Sequence, residues 1–428
     1  MAYLSAVLYT FSAYHLFDWY NRGSFGRSIS FTFLPVVFLG FYEIAKGNYR
    51  RWYLLTIGYS LLIYTHLLSS FLTFITLIIV SLFYLKPLVK ERKRILYLLL
   101  AAVVTIPIVA GYLFPMLEQM ASNTFNYSNA VNITGQTKLS LQQIGLGMLS
   151  GLFYPEGENI AGMGILLITL IVLRLFIKEK TPLLKIADCC ALIGVIYTIT
   201  MSFIFPWGGR LPLGFIQFPW RLYEFVVFFF AIAGTYYLIN IIKTRKQYIV
   251  VSAGIVILTL TTIVISNNNY VRWQTKALRD IPELFTGIPS VDNEYYLGGR
   301  EYMPAKVPTY RMFNQRKDSI TTSFVGAYTS NFQKKDGITS FDVITSEPVT
   351  LELPLIYYKG YKAFIDGNEV PLEESTRGGL AQISTDKPGK AKIFYQETII
   401  QKASWYVSLI STILLCLFIL KYRERKQQ

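Results

Sequence analysis

The chain has 428 residues, 53% of them hydrophobic and 16% charged, with a formal charge of +15. A mean hydropathy of +0.39 is too high for an ordinary soluble enzyme, and the apolar residues fall in blocks of roughly membrane-spanning length. Lys and Arg cluster between those blocks, which is the positive-inside pattern of a polytopic membrane protein and excludes a nucleic-acid-binding surface.

The opening stretch, MAYLSAVLYTFSAYHLF, lacks a basic start and has aromatics where a cleavage site needs small residues, so no cleavable signal is expected. About ten apolar segments follow in order, at 2–17, 29–43, 52–67, 69–86, 95–116, 160–178, 186–205, 219–242, 248–266 and 404–421. Several are shorter than the ~20 residues of a perpendicular span and read as half-helices or re-entrant segments. The basic stretches AKGNYRR, KPLVKERKR, KEKTPLLK, KTRK and the terminal KYRERKQQ all fall on one side when the spans are counted. That side is expected to be cytoplasmic and to hold the C-terminus. The opposite side then receives 18–27, the turn near 65–70, the loops 117–159 and 206–218, and the long segment 267–402.

The fold expected is a mostly α-helical polytopic membrane protein, with helices over 1–266, an extracytoplasmic domain over 267–402, and a final span and basic tail over 403–428. In the second half of that domain, VTLELPLIYY alternates, and YKAFIDGNEVPL sets Asp366-Gly367 between two β-like runs as a hairpin signal. LAQISTDKPGKAKIFYQETI repeats the pattern around a Pro-Gly turn. These runs predict a small antiparallel β-sandwich, with 280–335 mixed. Cys189, Cys190 and Cys416 all lie in apolar runs, so no disulfide framework is expected.

The loop FPWGGRLPLGFIQFPWRLYEF is long, apolar and cationic. Pro and Gly hold it away from regular helix, and it carries Trp207, Arg210, Trp220 and Arg221. With His15, Asp18, Arg22, Arg27 and His66 it gathers His, Asp and Arg at one membrane depth. Arg binds phosphate bidentately and stays charged in a poorly hydrated site. The expected role is a re-entrant cationic shelf for an anionic lipid headgroup; interfacial anchoring by Trp and snorkelling by Arg are the simpler alternatives. Glu224 lies one turn inside the next span and is expected to pair with Arg221, three residues earlier. Two histidines are too few for a metal site, and none is expected.

YTFSAYHLFDWYNRGSFGRSISFTFLPVVFLGFYE, the helix ending in THLLSS, QFPWRLYEF, REYMPAKVP and YYKGYKAFIDGNEVPL to GKAKIFYQ resemble a bacterial membrane family. Its members are labelled 6-pyruvoyl-tetrahydropterin synthase-related and stand near the YfhO-like proteins; nothing in the chain looks like a soluble pterin enzyme. The family resembles the GT-C class of integral membrane glycosyltransferases. The resemblance implies a polyprenyl-phosphate sugar as donor substrate, no separate cofactor, and a cell-surface glycan or lipid as acceptor in the bacterial cytoplasmic membrane. It implies donor-phosphate binding by Arg22, Arg27, Arg210 and Arg221, with His15, His66, Glu224, Trp207 and Trp220 in support. Asp18 is the nearest carboxylate for deprotonating an acceptor.

The same resemblance places the acidic catalytic motif in a first external loop upstream of YTFSAYHLFDWYNRG, and this sequence starts only a few residues before that block. A truncated product, half of a split enzyme with a separate N-terminal fragment or accessory protein, or a member without catalysis each fit that departure. The alternative function is a transporter or accessory protein for lipid-linked sugar precursors, using the same shelf without transfer chemistry.

Overall fold

The computed structural model describes residues 2–125, 137–150, 162–178, 180–207, 213, 216–280, 303–307, 319–375 and 378–427. The chain is mostly helical, with an antiparallel sheet region towards its C-terminus. It divides into two compact units: Met1–Thr105 with Asn132–Asp280, and Ile106–Val131 with Ile281–Gln428.

Among the described residues five helices are long and apolar enough to cross a membrane: Phe25–Ala45, Pro182–Thr200, Pro219–Ile241, Arg245–Ile265 and Ile399–Tyr422. Lys93–Ile108 and Ala110–Ser122 reach that standard only when joined as one broken stretch, while Leu67–Phe83 and Ile165–Phe176 are shorter apolar helices. The expected ten segments therefore become five full-length candidates and several shorter pieces.

Local capping explains where the pieces break. The first expected segment is α1 (Ala2–Thr10), then a break, then the single turn α2 (Ala13–Leu16), with the Ser12 side chain accepting from the His15 N–H. A π turn over Phe17–Asn21 follows and leads to α3 (Phe25–Ala45). The helices α4 (Tyr53–Thr65) and α5 (Leu67–Phe83) part at His66, whose ring nitrogen caps α5 by accepting from the Ser69 N–H. Hydropathy alone does not register such caps.

Helices α3 and α4 pack at backbone distance. A Cβ on Gly40 would lie 2.2 Å from the Leu55 nitrogen, and one on Gly58 would lie 2.8 Å from the Val37 nitrogen. Small residues at such crossings let helices approach closely within lipid. Two basic stretches meet at one end of this unit: Arg94, at the start of α7 (Lys93–Ile108), donates to the carbonyls of Ile44 and Gly47 at 2.8 and 3.2 Å.

The helices α11 (Pro182–Thr200) and α12 (Tyr223–Ile241) pack together, with Gly194 against the Phe230 ring and Tyr197 edge-on to Phe225. Helix α12 is buried around most of its circumference, the mark of a helix inside a bundle. Helix α13 (Arg245–Asp280) runs past the apolar stretch expected to end it at 266. No Gly or Pro interrupts 255–281, so nothing stops the helix there.

The second unit contains α8 (Ala110–Ser122), two antiparallel sheets, and α14 (Ile399–Gln427). In chain order the strands are β1 (Thr321–Thr322), β2 (Tyr328–Lys335), β3 (Ile338–Ile344), β4 (Val349–Ile356), β5 (Tyr361–Ile365), β6 (Asn368–Val370), β7 (Leu372–Glu374), β8 (Leu380–Thr385) and β9 (Gly389–Tyr395). One sheet runs β1-β4-β8-β7, the other β2-β3-β9-β5-β6. Alternate residues of both, including Phe341, Val343, Leu351, Leu353, Ile383 and Ile393, share one apolar core.

Asp366 and Gly367 have positive φ and join β5 to β6 with Ile365 opposite Asn368, a two-residue hairpin as expected. Asp336-Gly337 does the same between β2 and β3. The Pro-Gly turn is a correction: β8 and β9 belong to different sheets, so Pro388-Gly389 carries the chain between sheets and closes no hairpin. Glu118 of α8 ties this unit together. Its carboxylate accepts from the Thr398 hydroxyl at 2.6 Å and lies 3.4 Å from Lys359 Nζ.

Candidate functional site

The site is built where α3 and α12 begin. The π turn moves the chain one residue out of helical phase, and Asp18 on it turns inward, fully buried. Arg22 Nη1 donates to Asp18 Oδ1 at 3.1 Å. Arg27, 1% exposed on the first turn of α3, brings Nε to 3.2 Å from Asp18 Oδ2 and 3.4 Å from Glu224 Oε2. The Asp18 contact is an ion pair off the hydrogen-bond axis, since Oδ2 has no aligned donor. Arg27 Nη2 donates to the Arg221 carbonyl at 2.6 Å.

Glu224 is fully buried in the first turn of α12, where the helix dipole favours a negative charge. Besides Arg27 it accepts from the hydroxyls of Ser30 at 3.0 Å and Ser69 at 2.8 Å. The expected Arg221–Glu224 pair is therefore corrected. The i, i+3 spacing is right for a continuous α-helix, but Arg221 lies in the 3-10 turn Pro219–Leu222 that precedes α12. Arg221 donates instead to the Ile216 carbonyl at 2.8 Å and to Gln217 Oε1 at 3.1 Å. Gln217 sits in the left-handed backbone region, at φ 61°.

Aromatic rings line the cationic side. The Arg22 guanidinium lies 4.7 Å from the Trp220 ring centroid, Arg221 5.0 Å from Phe218, and Arg27 5.2 Å from Tyr14. Trp220 is buried against Phe218 and Phe17, so it is a wall of the cluster and not an exposed anchor. Trp207 is also buried, and its indole donates to the Thr200 carbonyl at 2.5 Å. His15 stacks on Phe31 at 4.3 Å with its ring nitrogens against the carbonyls of Thr10 and Ser28; it packs beside the cluster. His66 Nδ1 lies 2.8 Å from Ser69 Oγ, which puts His66 one hydroxyl away from Glu224. Arg210 lies outside the described residues.

The structure thus brings together Asp18, Arg22, Arg27, Arg221, Glu224, Trp220 and His66. Ser30, Ser69 and Gln217 were missed because serine and glutamine in apolar surroundings carry no distinctive pattern. Three guanidiniums meet two carboxylates, and both carboxylates are engaged by Arg22 and Arg27. Among the described residues Arg221 has no carboxylate within ion-pair distance. Its Nε, Arg27 Nη1 and the hydroxyls of Tyr14 and Tyr223 are buried donors without acceptors, an arrangement suited to holding an anion. Comparison with protein families, with curated proteins and with solved structures finds no match for this chain.

Proposed function

We propose that this multi-pass membrane protein binds the phosphate of a polyprenyl-linked sugar at the Arg22–Arg221 face of the cluster, as a glycosyltransferase-like protein of the GT-C type. The observation that carries this reading is the excess cation: Arg221 is held by a carbonyl and an amide and has no ion-paired carboxylate among the described residues, beside the partly exposed Arg22. Fixed positive charge at a developing phosphate leaving group is the main catalytic requirement of such transfer. On this reading the loop around Trp207 and Trp220 is a re-entrant shelf on the extracytoplasmic side of a bacterial cytoplasmic membrane. The two sheets form a small extracytoplasmic β-sandwich, and the C-terminus is cytoplasmic. The acceptor is a cell-surface glycan or lipid.

A second reading, binding without transfer, is favoured by Asp18. Its two oxygens lie against Arg22 and Arg27 in a fully buried position, which leaves that carboxylate no room to take a proton from an acceptor hydroxyl. In this form the protein delivers or escorts the lipid-linked precursor, alone or with a partner that supplies the acid-base group.

The test uses the full chain in nanodiscs with a polyprenyl phosphate as probe. Arg221→Ala and Arg22→Ala are each expected to weaken binding by about tenfold or more, the worth of one charge-assisted hydrogen bond. Unchanged affinity in both variants would remove the phosphate site. Sugar transfer to an added acceptor by the wild type, or transport across the bilayer without it, separates the two readings.

A further inference from the structure

A second feature of the helical unit is a cavity that starts at Tyr9, His15 and Phe31, beside the arginine cluster, and runs away from it. The cavity, of about 600 Å³, is walled by α1, α3, α5, α11 and α12. Ala6 of α1, Phe38 of α3 and Phe228 of α12 form its sides, and Tyr42, Tyr84 and Ile186 lie at one end. The walls are mostly apolar, with Ser5, Thr10, His15 and Thr32 as the polar exceptions, so they suit a hydrocarbon chain better than ordered water. From Phe31 to Tyr42 on α3, which both line it, a helix rises about 16 Å. That is close to half of the ~30 Å hydrocarbon core of a bilayer, the depth of a single leaflet.

The end at Tyr42, Tyr84 and Ile186 is flanked along the chain by lysines. Lys46, Lys86 and Lys185 stand within four residues of these three positions, all exposed. Among the described residues none of the three makes an ion pair. The neighbouring acids among the described residues are already paired: Glu43 with Arg51, Glu91 with Arg94 and Asp188 with Arg174. The mouth is therefore cationic and the shaft apolar.

We propose that this groove holds one acyl chain of an anionic phospholipid drawn from the leaflet on the basic-loop side, with its phosphate beside Lys46, Lys86 and Lys185. Aromatic side chains grip the chain, and the lysines select the headgroup by charge. The headgroup end is distinct from the arginine cluster, which adjoins the opposite end of the cavity at His15 and Phe31, and the proposal does not depend on what the cluster binds.

The experiment measures lipid retained by the full-length protein after exchange into nanodiscs of phosphatidylglycerol, of phosphatidylcholine, or of phosphatidylcholine doped with polyprenyl phosphate, read by native mass spectrometry. The wild type is expected to keep one phosphatidylglycerol per chain through mild detergent washing and to lose phosphatidylcholine. Ala6→Trp, at an exposed position facing the groove, is expected to abolish that retention by filling it. The triple variant Lys46→Glu, Lys86→Glu, Lys185→Glu changes only exposed side chains and is expected to cut the preference for phosphatidylglycerol at least about tenfold. Equal retention of both phospholipids, retention unaffected by Ala6→Trp, or displacement by polyprenyl phosphate in preference to phosphatidylglycerol would each overturn the proposal.

Discussion

Helix α12 contributes to an arginine–carboxylate site near each end, through Glu224 at its start and Tyr237 near its end, and the two are built on opposite principles. At its start, Glu224 and Asp18 are sealed from solvent with Arg22, Arg27 and Arg221 around them. Near its end, Tyr237 donates to Asp188 at 2.8 Å, and Arg174 grips the same carboxylate with two nitrogens at 2.6 and 3.1 Å. That second pair is charge-matched and more than a third exposed on both sides. The buried site is over-supplied with cation and leaves donors idle; the exposed one is balanced and complete. A balanced pair needs nothing further, whereas surplus buried charge costs stability unless something else compensates it. The contrast directs the functional reading to the first site.

The contrast can be broken most directly at Glu224. Glu224→Ala removes one of the two buried counter-ions of Arg27, leaving Asp18, and is expected to cost about 3 kcal/mol, read as the unfolding free energy in detergent. In the cycle with Arg27→Met the double variant should lose much less than the two singles combined. A loss near zero for Glu224→Ala would mean that the pair is not sealed from water. At the other end Tyr237→Phe removes one hydrogen bond to a carboxylate, for an expected loss of about 1 kcal/mol on the same assay. Smallest is Asp188→Asn, where an exposed ion pair is worth below about 1 kcal/mol and fades with salt. Raising ionic strength should erase the Asp188→Asn difference and leave that of Glu224→Ala intact.

Much of the site's membership was legible in the sequence, because Arg and carboxylate beside apolar runs are conspicuous wherever they occur. The pairing was not. Glu224 has an arginine three residues away in sequence and takes one from α3 instead, since the chain enters α12 through a tighter turn. Local φ requirements made the Asp366-Gly367 hairpin readable, as any two-residue turn of that kind must show such residues. The Pro388-Gly389 turn looked the same from nearby residues, but which sheet a strand joins is decided by distant partners: β9 pairs with β3 and β5. Helix breaks at Ser12 and His66 were hidden because a capping side chain changes hydrogen bonding without changing hydropathy.

The reach from Arg27 to Glu224 also has a consequence for biosynthesis. The two residues are 197 positions apart, so at ~5–20 residues per second a ribosome makes Glu224 roughly 10–40 s after Arg27. During that interval the guanidinium already has Asp18, only a few residues upstream, as a provisional counter-ion. The nascent N-terminal helices can therefore enter the bilayer with their charge covered locally, and α12 completes the arrangement on arrival.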